Sequence, residues 1–83
     1  MGEDKEKSRT VVTINNQQYT IVSKEGSDYV NKVAELVNNK MRELKELNPY
    51  LDSTKLAVLT AVNIGSEYIH LLSQLEDEKK DED

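Results

Sequence analysis

Cysteine, tryptophan and phenylalanine are absent from this 83-residue chain, and histidine and proline occur once each. Without cysteine there is no disulfide framework, no zinc–thiolate centre and no cysteine nucleophile. A single histidine leaves little from which to build a metal site, and no cofactor is expected. The three glycines are scattered, so no glycine-rich loop cradles a phosphate. No nucleophile–histidine pair and no credible pair of catalytic carboxylates stands in the sequence. An enzyme is therefore not expected. Positive charge is short too: 11 basic residues against 16 acidic ones leave a formal charge of −5. That balance repels phosphate backbones and argues against nucleic-acid binding. No apolar run approaches the ~20 residues that span a bilayer, so membrane insertion is not expected. The charged opening, Met1-Gly2-Glu3-Asp4-Lys5-Glu6-Lys7, lacks the apolar stretch of a secretory signal. Lack of cysteine fits the cytosol, and a cytoplasmic location is the expectation.

A chain this short buries only about 60% of the surface its unfolded form exposes, so one core is marginal without a staple. Disulfides and metals being set aside, the remaining staple is another chain. Residues 1–8 are charged and without period, which predicts a disordered lead-in. From Arg9 to Val22 β-branched residues alternate on either side of Asn15-Asn16, a pair that tolerates the left-handed backbone of a tight hairpin. Placing the turn there pairs Ile14 with Gln17, Val12 with Tyr19 and Thr10 with Ile21. Val12, Ile14, Tyr19 and Ile21 then share one face. A first helix is predicted from Asp28 to Leu47, capped by Ser27 or Asp28, with Val30, Val33, Val37, Met41 and Leu44 as its apolar stripe. Lys40, Arg42 and Lys45 fall on its outward side. Asn48-Pro49-Tyr50 ends it, with Tyr50 expected to pack the loop onto the helices.

Asp52 or Ser53 caps a second helix, expected over residues 53–79, and residues 80–83 are left as an acidic tail. The run from Leu56 to Ile64 is apolar on nearly every side, and a helix of that kind is buried all round. One hairpin and one helix cannot surround it, so Leu56, Val58, Leu59, Ala61, Val62 and Ile64 are expected to meet another copy. Val58, Ala61, Gly65, Tyr68, Leu72 and Leu75 recur at alternating threes and fours, the seam of a short coiled coil. Asn63, inside that stretch, reads as a residue that fixes register. Glu67 and His70 match the Glu-x-x-His spacing of di-iron bundles, but such short matches are common and a surface histidine is the plainer reading. The fold class is α+β and mainly helical: a hairpin plus first helix (9–52) as a head, then an oligomerisation helix (53–79) extending as a short coiled coil.

The segment Asp52-Ser53-Thr54-Lys55-Leu56-Ala57-Val58-Leu59-Thr60-Ala61-Val62-Asn63-Ile64 resembles the family pattern Leu-Ala-x-Leu-x-Ala-x-Asn-Ile of the bacterial cell-division protein ZapA. Asn39-Lys40-Met41-Arg42-Glu43-Leu44 and Thr13-Ile14-Asn15-Asn16-Gln17-Gln18-Tyr19 are similar to that family's first helix and hairpin. The likeness covers roughly residues 10 to 75. It implies a cytoplasmic homodimer, often a tetramer, at the division septum. Its partner would be the tubulin-like GTPase FtsZ, whose filaments it would bundle while lowering GTP turnover. Filament contacts in that family are attributed to charged residues of the head, which here points to the basic cluster Lys40, Arg42 and Lys45; Lys55, near the start of the second helix, and Gln17, near the hairpin turn, are weaker candidates. The rival readings are a generic coiled-coil adaptor with another partner and, further off, a metal-binding helical bundle.

Overall fold

The computed structural model describes residues 7–82. Two strands and two helices follow one another: β1 (Ser8–Ile14), β2 (Gln17–Ser23), α1 (Ser27–Leu47) and α2 (Ser53–Glu82). The expected disordered lead-in lies outside the described residues for positions 1–6, while Ser8 already belongs to β1. The chain divides into two compact units at Glu43 and Leu44.

In the first unit, β1 and β2 pair antiparallel with Ile14 opposite Gln17, Val12 opposite Tyr19 and Thr10 opposite Ile21. This is the register the turn dictates. Asn15 and Asn16 adopt φ of 52° and 68°, the left-handed pair that a two-residue turn needs to match the strands' twist. Val12, Val30 and Ala34 form the buried cluster, with Ile14 packed against it. Only the β1 half of the apolar hairpin face is covered; Tyr19 and Ile21 across from it stay exposed. The buried line of α1 therefore differs from the expected stripe. Val30, Ala34 and Met41 are inside, whereas Val33 is exposed. The cap differs as well. The Gly26 carbonyl accepts from the Val30 amide at 3.1 Å, so Gly26 starts the helix. The Ser27 hydroxyl is turned instead to Thr10 Oγ1, 3.1 Å away.

The hairpin is also tied to α1 by a clamp that sequence periodicity does not reveal. Asn38 Nδ2 donates to the Thr13 carbonyl at 2.6 Å, and Asn38 Oδ1 accepts from the Asn15 amide at 2.9 Å. One carboxamide thus satisfies two outward-facing backbone groups at the turn end of β1, much as a further strand would.

In the second unit, α2 begins at Asp52. Its carboxylate accepts from the Lys55 amide at 2.8 Å and its carbonyl from the Leu56 amide at 2.9 Å. The helix then runs to Glu82, beyond the expected end at Lys79. Glutamate and lysine are strong helix formers and nothing after Gly65 breaks the helix, so the charged segment continues it. Thr60 is buried and donates to the Leu56 carbonyl at 2.7 Å; Asn63 Nδ2 donates to the Leu59 carbonyl at 3.0 Å. Both polar side chains are satisfied by the helix that carries them. Although no continuous apolar run is that long, Ser53–Glu78 as a whole is long and apolar enough to cross a membrane. Between Asn63 and Gln74 its polar residues, Asn63, Ser66, Glu67, His70, Ser73 and Gln74, gather on one side of the helix.

Candidate functional site

The apolar residues of α2 dominate the surface of the second unit. Val58, Leu59, Val62, Tyr68, Ile69, Leu71, Leu72 and Leu75 are each 39–62% exposed. Ala61 and Gly65 are exposed between them, and Ile64 is half-buried. Leu56 behaves otherwise. It is 3% exposed, buried by its own chain, and so is not available to a partner.

Eight large apolar side chains, each about half exposed, represent on the order of 6–12 kcal/mol of burial left unrealised in one chain. Soluble monomers rarely display contiguous apolar surface on that scale. The arrangement is also wider than a simple seam. Val58, Ala61, Gly65, Tyr68, Leu72 and Leu75 form the central line; Val62 and Ile69 flank it on one side, Ile64 and Leu71 on the other. In two-stranded coiled coils those flanks are usually charged. Ile69 and Leu71 do not fall on the three-four line, yet they are as exposed as the seam itself. Counting apolar residues on the flanking heptad positions would have found them. At Gly65 an added methyl group would meet nothing within 4 Å, so the glycine is not required by any contact inside the chain.

The basic candidates are dispersed rather than clustered. Arg42 and Lys45, three residues apart, share a flank of α1. Lys40 lies on the other side of that helix, contrary to the expectation that all three point outward. Its side chain is only 18% exposed, with the ammonium 3.6 Å from Glu43 Oε1. Arg42 is exposed and donates through Nη1 to Asn39 Oδ1 at 2.9 Å. Lys45 Nζ donates to the Leu51 carbonyl at 2.7 Å, which ties it to the interhelical loop. Lys55 is exposed in the first turn of α2, and Gln17 is exposed beside the hairpin turn, accepting from the Tyr19 hydroxyl at 2.9 Å. An open groove of about 350 Å³ runs between β1 and α1, lined by Val11, Thr13, Asn31, Glu35, Asn39 and Arg42 among others. It is polar and shallow. Among the described residues, no group of three or more histidine, aspartate or glutamate side chains is placed to hold a metal.

The family model for cell division protein ZapA matches residues 10–83. The chain belongs to the ZapA family. The Shouchella clausii cell division protein ZapA is 53% identical over 78 residues, covering 94% of this chain and all of that protein. The Bacillus subtilis ZapA is 48% identical over 73 residues, covering 88% of this chain and 86% of that one. Among solved structures, a ZapA mutant dimer from Geobacillus stearothermophilus superposes with a TM-score of 0.72 at 44% identity, over 89% of this chain and 86% of that one. The fold class read from the sequence, a hairpin followed by two helices, is therefore also the fold of a ZapA chain.

Proposed function

We propose that this ZapA-family protein is a homodimer, able to associate further to a tetramer, that binds FtsZ filaments in the cytoplasm at the division septum and bundles them, lowering their GTP turnover without catalysis of its own. The observation that carries the proposal is the uncovered apolar face of α2, which one chain leaves in water at a cost of several kcal/mol. A second copy supplies the complementary surface, and the similar Geobacillus chain is itself a dimer. Self-association gives the function its physics. A symmetric oligomer displays each filament contact at least twice, so two weak contacts bridge two filaments through effective concentration. Arg42, Lys45 and Gln17 of the head, with Lys55 in the first turn of α2, are the exposed residues proposed to meet the filament, with Lys40 contributing through its charge rather than by direct reach. Charged groups of this kind steer and orient association more than they tighten it.

Co-sedimentation with polymerised FtsZ, paired with solution mass over a range of concentrations, tests both halves. The expected result is a dimer or tetramer that pellets with filaments and thickens them into bundles. A protein that oligomerises yet stays in the supernatant at micromolar concentration would be a coiled-coil adaptor for some other partner.

A further inference from the structure

Two of the side chains proposed to meet the filament stand on different elements of the first unit, and each is held by its own element. Gln17 opens β2, and its Oε1 accepts from the Tyr19 hydroxyl at 2.9 Å, so it travels with the hairpin. Arg42 lies in α1 and donates to Asn39 Oδ1 at 2.9 Å, so it travels with the helix. How the two stand to each other depends on what joins hairpin to helix near the turn. Val12 and Ile14 pack with Val30 and Ala34 and hold the strands against α1. Apolar packing is non-directional, however, and does not by itself set the angle of the turn. Hydrogen bonds are directional. Asn38 makes them on both sides of Ile14: Nδ2 donates to the Thr13 carbonyl at 2.6 Å, and Oδ1 accepts from the Asn15 amide at 2.9 Å. Asn15 is the first left-handed residue of the turn, with φ of 52°, and Gln17 follows just after it. On the helix, Asn38 and Arg42 are one turn apart and line the same groove, as does Thr13 from β1.

We infer that Asn38 is a positioning residue for filament binding, fixing the hairpin tip and Gln17 relative to Arg42 so that both meet the filament as one preformed surface; this rests on the filament-binding reading above. A carboxamide suits the task because it carries a donor and an acceptor together, one for each backbone group. Without it the tip moves independently of α1, and every binding event must order it afresh. Two contacts on elements that move separately do not add as two contacts on one rigid surface do.

The test is co-sedimentation of the full-length chain with polymerised FtsZ, with solution mass and helicity measured in parallel. Asn38→Ala, Gln17→Ala and Arg42→Ala are compared singly, and Asn38→Ala is then combined with each of the other two. Asn38→Ala is expected to weaken pelleting about fivefold at wild-type mass and helicity, through the ordering of a mobile tip and the loss of the Gln17 contact. Gln17→Ala should weaken it about threefold in the wild-type chain. Beside Asn38→Ala it should change little, since a tip already out of place has no contact left to lose. Arg42→Ala should weaken pelleting by the same factor in both backgrounds. Asn16→Gly separates positioning from stability, because glycine suits the left-handed turn position and strengthens the hairpin without tying it to α1. Asn38→Ala combined with Asn16→Gly should melt nearer the wild type, yet pellet as weakly as Asn38→Ala. Wild-type pelleting by Asn38→Ala, independent effects of Asn38→Ala and Gln17→Ala, or full rescue of pelleting by Asn16→Gly each overturns the inference while sparing the filament reading. Loss of mass or helicity that Asn16→Gly does not restore overturns it too, by making Asn38 a residue of the fold alone. Wild-type protein that fails to pellet overturns both.

Discussion

Replacing Asn38 should loosen the hairpin from α1 without touching the apolar core, and the structure sets the size of the effect. The side chain makes two hydrogen bonds to backbone groups, at 2.6 Å to the Thr13 carbonyl and 2.9 Å from the Asn15 amide. Each contributes about 0.5–1.5 kcal/mol net. Asn38 is only half-buried, so water can partly replace what is lost, and the lower half of that range applies. Alanine also returns a few tenths of a kcal/mol as the better helix former. Asn38→Ala should therefore cost about 0.5–1.5 kcal/mol. Asn38→Asp is the sharper probe. It keeps the acceptor for Asn15 but places a second acceptor, negatively charged, against the Thr13 carbonyl, where a donor had been. The cost should exceed that of alanine, at about 1–3 kcal/mol near neutral pH.

The aspartate variant also carries a pH signature of known sign. The carbonyl disfavours the charged carboxyl, so the new group's folded-state pKa lies above its unfolded value of about 3.9. The protonated group regains a donor, and its penalty is absent below that unfolded value and grows as pH rises through the folded one. Urea denaturation followed by circular dichroism, at one fixed chain concentration because an oligomer's stability depends on it, measures all three proteins. Exchange of the Asn15 amide should accelerate in both variants before global unfolding does. Equal stability of the alanine and aspartate variants at neutral pH, with Asn15 still protected, would refute the clamp.

Val58→Glu or Val62→Glu should dissociate the oligomer, because both residues are exposed in the single chain and the charge disturbs no packing of its own; sedimentation velocity at constant helicity per residue checks it. Gly65→Ala decides what the glycine is for: if the helices of two copies approach closely there, the variant dissociates, and otherwise it gains up to about 1 kcal/mol, as read from thermal unfolding. Arg42→Ala should leave stability unchanged and weaken bundling most at low salt, measured by light scattering of FtsZ filaments. Lys45→Ala should instead cost about 0.5–1 kcal/mol through its lost bond to the Leu51 carbonyl, so reduced bundling in that variant has to be read beside its melting curve.

The features legible in the sequence are those set by neighbours along the chain. Asn15-Asn16 fixes a hairpin because two consecutive left-handed residues have one common use, and the period of two then fixes which faces Val12 and Tyr19 share. Asp52 reads as a cap because its partner amide is three residues on. The features not legible there depend on partners far away in sequence or on a lack of partners. Asn38 looks like one more polar residue on an exposed face, since its partners lie 23 and 25 residues upstream. Lys40 looks outward because α1 is judged by its apolar stripe. The stripe that is buried shifts toward Ala34, since β1 and not the whole hairpin covers it. Tyr50, expected to pack the loop onto the helices, is 95% exposed instead, because the turn closed by the Leu51 amide on the Asn48 carbonyl directs it outward.

The breadth of the exposed face on α2 bears on how many chains assemble. A two-stranded coiled coil covers its central line and leaves the flanking positions at the solvent edge, where charged residues serve best. Here the flanks are Val62 and Ile69 on one side, Ile64 and Leu71 on the other, and Ile69 and Leu71 are about as exposed as the central Tyr68. Pairing two chains along the seam leaves that apolar rim partly wet, and a second pair of helices would cover it. The polar strip of Asn63, Glu67, His70 and Gln74 limits the process, because it gives each helix one side fit for water. Association should then proceed in two steps of unequal strength, a tight pair and a weaker pair of pairs. Ile69→Lys together with Leu71→Lys should abolish the second step while leaving the first. A variant of that kind that fell directly to single chains would place Ile69 and Leu71 in the primary seam instead.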